Sequence, residues 1–324
     1  MNVPGELIQL SKKEKKIIIA THINPDGDAI GSAVALSMAL ESMGKETTMY
    51  DRDPVPETYR FLPGHERFTH SLESLAVDTC PLVLMDCNEP TRAGLDGITL
   101  SKTVVIDHHE TEKKFGKIRW IEPHAPATGA MVYSLLKELG VTITTNMAIN
   151  LYTAIAIDTG TFRFSNTTPD ILRMAADMID AGADPSSIAV ALYESWSGKR
   201  FRMLIDVLSS LEVVDDIAIT VASADLFASA GTSADDTEHF VEFPRMMKGI
   251  RISAFFREIK DGWKASLRSK GDVNVAEIAL AFNGGGHRNA AGYVFKGNLL
   301  AAKTALIKAA ARGTTEDNRY PSMP

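Results

Sequence analysis

The chain has 324 residues, 45% of them hydrophobic and 23% charged, with a formal net charge of −7. This is the composition of a soluble globular protein with room for two ordinary domains. No run of about 18 or more apolar residues is present, which excludes a membrane-spanning helix. The apolar stretch after Lys12, Lys13, Lys15 and Lys16 is too short for a secretory leader. The acidic balance speaks against a protein that grips long duplex nucleic acid. Two cysteines, Cys80 and Cys87, give no disulfide framework and suit a reducing, cytoplasmic setting.

In chain order, the lysines near residue 12 read as a solvated segment and 17–21 as a strand. Residues 29–43 read as a helix stopped by Gly44, and 46–50 as a second strand. "PLVLMD" (81–86) and "TVVID" (103–107) are short continuous apolar runs, the pattern of strands buried on both faces of a parallel sheet. Helices are expected at 127–140, 146–158 and 169–182. Alternating strands and helices give an α/β fold with a mostly parallel sheet flanked by helices over 1–190. A helical connector at 191–213 leads into a smaller α+β domain over 214–312. Its strands are expected near 217–223, 251–257, 263–268 and 292–296, its helices near 275–282 and 299–311. The tail "GTTEDNRYPSMP", 313–324, reads as disordered.

Four segments end an apolar run in an acid or a histidine: "IIIATH…DGD", "LVLMD", "VVIDHH" and "AIAID". In open parallel sheets ligands bind beyond the carboxyl ends of the strands. Three segments deliver polar residues to that edge, and the fourth reaches it from a helix end. The candidates are His22, Asp26, Asp28, Asp86, Asp107, His108, His109 and Asp158. Each alone has a plain structural reading: a D-x-D is commonly an Asx turn or helix cap, with Asp28 placed to cap, and neighbouring histidines on a strand point to opposite faces. Together they form a set of carboxylates that repel when desolvated, unless divalent cations compensate. Carboxylates and imidazoles without thiolate suit Mn²⁺, with Mg²⁺, Co²⁺ or Fe²⁺ as substitutes. So many ligands favour two ions, about 3.5–4 Å apart, the arrangement that clamps the attacking and leaving oxygens in phosphoester hydrolysis.

At these residues the sequence resembles the DHH phosphoesterase superfamily. "THINPDGDAIGS", "LMDCNEP", "VVIDHHET" and "AIDTGTFRFSNT" are similar to its four metal motifs. "FNGGGHRNAAGY" is similar to the glycine-rich signature of the DHH-associated C-terminal domain. The resemblance spans 21–293, and within the superfamily it is nearest the short nanoRNase branch. Such enzymes degrade oligoribonucleotides of a few residues and remove the 3′-phosphate from 3′-phosphoadenosine 5′-phosphate (pAp). It implies His22, Asp26 and Asp86 on one Mn²⁺ and Asp28, Asp86, His108 and Asp158 on the other, with Asp86 bridging. His109 is then beside the scissile phosphate, oriented by Asp107. It also implies that Arg268 and His287 of the glycine-rich signature hold the terminal phosphate of the substrate.

Gly284, Gly285 and Gly286 precede what reads as a helix start, where free N–H groups hold phosphate; a tight glycine turn against a strand is the plain alternative. Asn283 stands where many relatives have a fourth glycine, and asparagine tolerates the left-handed backbone such a position needs. Arg163 is a further phosphate candidate, while its neighbours Phe162 and Phe164 read as core. The expected partners are a short single-stranded RNA or a small phosphorylated nucleotide, in a cleft between the domains, with no membrane partner and with a homodimer among the family's common states. The superfamily's pyrophosphatases use a basic cluster in the second domain that the sequence near Arg268 lacks. Phosphodiesterases of cyclic dinucleotides or their linear products are the nearest alternative, and a non-catalytic nucleotide-binding regulator the alternative from another class.

Overall fold

The computed structural model describes residues 1–313 apart from 76, 78, 88, 96, 99–101 and 110–114, with the side chains of 74, 287, 312 and 313 also outside it. The tail expected to be disordered lies, from 314, outside the described residues. The chain divides into two compact units, Met1–Ser195 and Trp196 onward.

The first unit runs α1 (Gly5–Lys13), β1 (Lys16–Ala20), α2 (Gly27–Ser42), β2 (Glu46–Tyr50), β3 (Phe68–Thr69), β4 (Leu82–Met85), β5 (Thr103–Asp107), β6 (Ile118–Ile121), α3 (Thr128–Leu139), α4 (Thr145–Asp158), α5 (Pro169–Asp180) and α6 (Pro185–Ala189). Its sheet has the order β3-β2-β1-β4-β5-β6, with every pairing parallel. β4 and β5 are buried along their whole length and β1 over Ile17–Ala20, as continuous apolar runs require when helices cover both faces. α2 is buried on nearly all sides and is apolar all round for that reason. It packs closely on α4 because position 31 is glycine: a Cβ there would stand 2.4 Å from the Asn150 carbonyl oxygen.

Chain order and sheet order part company at β1. From there the chain passes to β2 and β3 on one side, then crosses back to β4, β5 and β6 on the other. That reversal leaves a crevice beyond the carboxyl ends of β1 and β4, the place where open α/β sheets take their ligands.

The second unit runs α7 (Gly198–Ser209), β7 (Glu212–Val214), β8 (Ile217–Ala222), α8 (Ala224–Ala230), α9 (Glu242–Arg245), β9 (Ile252–Ile259), β10 (Gly262–Ser269), α10 (Val275–Leu280), β11 (Gly285–His287), β12 (Ala290–Lys296) and α11 (Leu299–Gly313). Its sheet, β11-β12-β10-β9-β8-β7, is antiparallel except between β8 and β9. One face buries Phe256, Trp263, Leu267 and Tyr293 with residues of α10 and α11. Part of the other face, around Ala222 and Phe255, is covered by Met203, Leu204 and Val207 of α7 and by Phe240.

Several expectations are corrected here. The lysines at 12, 13, 15 and 16 are exposed, as expected; what the reading lacked is the helix before them, α1, which buries Leu7 and Ser11. The stretch 191–213 is no single helical run, because a π-helical turn, Val190–Glu194, ends before α7 begins. No helix starts after the glycines. Gly285–His287 is a strand folded back on β12, so the plain reading of a glycine turn against a strand holds. Glycine is required there by contact: a Cβ on Gly284 would lie 2.2 Å from the Gly292 carbonyl oxygen, and Gly286 has φ +139. Asn283 takes φ 59, the left-handed conformation expected of it. Among the described residues, no helix is long and apolar enough to cross a membrane.

Candidate metal centre at the strand ends of the first sheet

Thr21 and His22 follow β1 directly, and the chain then turns through Asn24 at φ 53. Asp26, rather than Asp28, caps α2: its Oδ1 accepts the N–H groups of Asp28 and Ala29, each at 3.0 Å. Asp28 is fully buried in the first turn and serves another helix. Its carboxylate accepts the N–H of Thr128 at 2.7 Å and of Gly129 at 2.8 Å, and the Ser32 hydroxyl at 3.0 Å. The two N–H groups are orphan donors at the start of α3, where the N-cap, Ala127, has no side-chain acceptor to offer. Asp86 follows β4 at φ 53, an uncommon conformation outside glycine that turns the chain sharply at the sheet edge. Asp107 is the last residue of β5, and Asp158 the last of α4.

His108 and His109 lie just past the strand, so strand alternation does not separate them. Both are buried, with ring centroids 5.3 Å apart. Nε2 of His108 lies 3.0 Å from Asp158 Oδ2, 3.4 Å from Asp86 Oδ1 and 3.6 Å from Asp28 Oδ2. Nε2 of His22 lies 3.4 Å from Asp86 Oδ2 and 4.0 Å from Asp26 Oδ1. His109 Nδ1 stands 2.6 Å from Asp107 Oδ1 and 3.7 Å from Asp86 Oδ1. All eight sequence candidates of this unit's cluster thus come together, with Asp86 between the two imidazoles at the crevice of β1 and β4.

The other ring nitrogens tell how these imidazoles are held. Nδ1 of His22 is 3.0 Å from the Ile23 carbonyl, and Nδ1 of His108 is 3.0 Å from that of Ala125. A carbonyl oxygen only accepts, so each Nδ1 carries a proton. In the neutral ring Nε2 then turns a lone pair toward carboxylate oxygens, a repulsive arrangement unless a proton or a metal cation lies between.

The electrostatics state the same need. Burial, with the charges of Asp86 and Asp158, raises the Asp28 carboxyl well above its usual range, and burial likewise raises Asp158. Burial would also raise Asp86, but hydrogen bonds with His108 and His22 outweigh it and hold that group well below the usual range. Burial would lower His22; its contacts with Asp86 and Asp26 instead push it up to about 9. His108 is raised well above its ordinary value for the same reason, against burial, by Asp158 and Asp86. The cluster demands positive charge, and without a metal it gathers protons. Three sets have ligand atoms all within 4.8 Å of one another: His22, Asp26 and Asp86; Asp28, His108 and Asp158; and Asp86, His108 and His109. The residues therefore fit a divalent cation by donor type and by spacing, with Asp86 shared between sets.

Two features escaped the sequence reading. Asp51, fully buried, follows β2 and accepts a hydrogen bond from the Thr21 hydroxyl, bracing the residue beside His22. Burial pushes its carboxyl up to about 6. "TTMYD" is a fifth run ending in an acid, so the signal was there. Thr128, whose hydroxyl donates to Asp86 Oδ1 at 3.2 Å, had no such signal, because it opens a helix 42 residues away.

The remaining candidates lie elsewhere. Arg163 is exposed and its Nε donates to the Gly160 carbonyl at 2.7 Å. Phe162 packs edge-on to Tyr152, a core contact as expected. In the second unit, Arg268 Nε donates to Glu242 Oε1 at 2.6 Å, and Glu242 also holds Arg245 at 3.0 Å. Gly285, Gly286 and the backbone of His287 form β11, which Gly284 precedes; the side chain of His287 lies outside the described residues.

Comparison with known proteins agrees with this layout. Residues 16–155 match the model described as "DHH family, N-terminal domain", and 216–313 match the DHHA1 domain. The chain is 39% identical over 289 residues to the "Bifunctional oligoribonuclease and PAP phosphatase NrnA" of Thermus thermophilus, covering 89% of this chain and 86% of that one. It is 29% identical to the Bacillus subtilis protein of the same name, covering 89% and 91%. A crystal structure of an exopolyphosphatase-related protein from Bacteroides fragilis superposes with a TM-score of 0.88 at 27% identity, covering 95% of both chains. Every residue of the acid and histidine cluster but Asp158 falls inside the first match and the glycine hairpin falls inside the second, and the chain belongs to the DHH family, with a DHH domain followed by a DHHA1 domain.

Proposed function

We propose that this chain is a metal-dependent phosphoesterase that hydrolyses short oligoribonucleotides and pAp. The reading is supported by the names of the Thermus and Bacillus relatives and by the chemistry of the strand-end cluster. The observation that carries it is Asp86, set 3.4 Å from the Nε2 atoms of both His22 and His108 at the sheet's crevice.

In this reading His22, Asp26 and Asp86 hold one divalent cation and Asp28, Asp86, His108 and Asp158 a second, with Mn²⁺ the first choice for an oxygen-rich donor set. Bound there, the ions supply positive charge to the phosphoryl oxygens and acidity to the attacking water. The chain's own groups do the rest. Asp28 is fixed by the N–H groups of Thr128 and Gly129, and Asp86 by the Thr128 hydroxyl, so neither carboxylate must reorganise when substrate arrives. Asp107 accepts from Nδ1–H of His109, orients the ring and stabilises its doubly protonated form, and in that form Nε2–H gives its proton to the departing ester oxygen. Arg268 and the glycine hairpin hold the substrate's terminal phosphate, and Arg163 is a further phosphate contact. A cytoplasmic setting belongs to the same reading, as both cysteines are free thiols.

The test is phosphate release from pAp and shortening of a labelled RNA pentamer on a gel, each with and without Mn²⁺. Both activities are expected, and both should vanish with chelator. Failure on both substrates with every divalent ion tried would falsify the proposal.

A further inference from the structure

No basic cluster surrounds Arg268 in the sequence, yet the sheet register of the second unit assembles one from three strands. Residues directly opposite on neighbouring strands share a face. Lys264 of β10 pairs with Arg257 of β9, Gly262 pairs with Lys296 of β12, and Arg268 lies four residues along β10 from Lys264. Arg257, Lys264, Arg268 and Lys296 therefore occupy one face, opposite the one that buries Phe256, Trp263 and Leu267. On that face β9, β10 and β12 carry no Asp or Glu, in a chain of net charge −7.

Arg268 is engaged by Glu242. Arg257, Lys264 and Lys296 have no ion-pair partner among the described residues; the carboxylate that acts on Arg257 from a distance is Asp235. Like charges set directly opposite on paired strands destabilise a sheet. Burial lowers the Arg257 guanidinium. The fold thus keeps a repulsive pair that forms no ion pair among the described residues, with Asp235 acting on Arg257 only from a distance. Lys264 and Lys296 are exposed, Ser266 and Gly292 between them and Arg268 are small, and Val294 beside Lys264 is 50% exposed.

We propose that this face is a track for a single-stranded oligonucleotide, in which Arg257, Lys264 and Lys296 hold backbone phosphates beyond the one at Arg268. Rises of about 3.3 Å per residue put Lys264 roughly 13 Å from Arg268 and the level of Lys296 roughly 20 Å away. A strand of a few nucleotides spans that length, and a mononucleotide held at Arg268 does not. The cations consequently favour oligonucleotides over pAp. Val294 offers apolar surface to a sugar or base, as single-strand binders do. The proposal rests on the phosphoesterase reading only for the nature of the strand.

The experiment uses the full chain and the triple variant Arg257→Gln, Lys264→Gln, Lys296→Gln. Binding of a 3′-fluorescent, 5′-phosphorylated RNA pentamer is followed by anisotropy in EDTA across a salt series. Single strands lose about 0.7 in the log–log salt slope per phosphate contact, so the variant's slope should flatten by about 2. The KM for the pentamer in Mn²⁺ should rise while that for pAp stays put. Should the triple variant fold poorly by circular dichroism, exposed Lys264→Gln alone is expected to flatten the slope by about 0.7. An unchanged slope overturns the track, and so does an equal loss for pAp and pentamer. If the wild type hydrolyses neither substrate yet its salt slope depends on these cations, the track stands and the phosphoesterase reading falls.

Discussion

In the first unit the ionisable groups are packed at the ends of parallel strands, with Asp28, Asp86, His22 and His108 all buried and nitrogen–oxygen distances of 3.0 to 4.0 Å. In the second they are spread over the face of a largely antiparallel sheet, with Lys264 and Lys296 open to solvent. The difference follows from topology. Parallel strands finish at the same edge, so residues far apart in sequence converge on a point, and a reversal of strand order opens space for a ligand. Antiparallel strands finish at alternate edges, and only alternation along each strand gathers like side chains on a face. A convergent buried cluster fails abruptly when one member is lost, whereas a surface row of charges fails in small steps.

The sharpest way to break that contrast is at Asp86 and His108. Asp86→Ala removes the carboxylate shared by two of the three ligand sets, and His108→Asn the imidazole shared by two. Metal-assisted hydrolysis draws several kcal/mol from bound cations, so either change should lower kcat by about 10³-fold or more. Titration calorimetry with Mn²⁺ should show weaker binding in both, with little change in far-UV circular dichroism. Near-normal turnover in either variant would leave the cluster without its assigned role.

How much of this could be read from the sequence differs between the units for the same topological reason. The buried strands β1, β4 and β5 announce themselves as apolar runs, and each ends in or just before a residue of the strand-end cluster. The α/β class and the convergence of His22, Asp86, His108 and Asp158 were therefore visible before any coordinates. β3, with two residues, is too short for a periodic signal, β6 lacks a continuous apolar run because Arg119 interrupts it, and β11 is hidden in glycines. The capping of α3 by Asp28 could not be foreseen, because it joins residues 100 apart. Nor could the cationic face. Arg257, Lys264 and Lys296 look like scattered surface charge until the register sets them side by side.

A finer probe compares a buried carboxylate that no ligand set contains. Asp51 is fully buried, and its folded value of about 6 exceeds the ordinary carboxylate value. The fold prefers its protonated form. Its contribution to stability is fully present below about pH 4 and is lost as the pH rises through 6. At one pKa unit per 1.36 kcal/mol, the loss is at most about 3 kcal/mol. Asp51→Asn keeps Oδ1 for the Asp53 N–H, turns an amide N–H toward the Thr21 hydroxyl oxygen in place of Oδ2, and removes the titration. Denaturant melts in EDTA should show the variant gaining on the wild type between pH 4 and 6, then holding a constant lead. Parallel stability curves across that window would mean that water or a neighbouring charge satisfies Asp51 in solution.

The smallest expected effect is at Asp107, and it separates orienting a catalytic group from holding a metal. Asp107 Oδ1 accepts from His109 Nδ1 at 2.6 Å, while its Oδ2 is buried with no hydrogen-bond partner among the described residues. Asp107 therefore acts on the reaction through one contact. Asp107→Asn preserves shape and one acceptor oxygen, but it removes the negative charge that stabilises the doubly protonated ring and so weakens His109 as a proton donor. Partners of this kind typically cost 10–100-fold when removed. The expected result is a fall of about that size in kcat, with KM for pAp and Mn²⁺ affinity unmoved, since His22, Asp86 and His108 keep their places. If Mn²⁺ binding weakened in step with kcat, Asp107 would be supporting the metal cluster itself, and His109 would lose its separate role as proton donor.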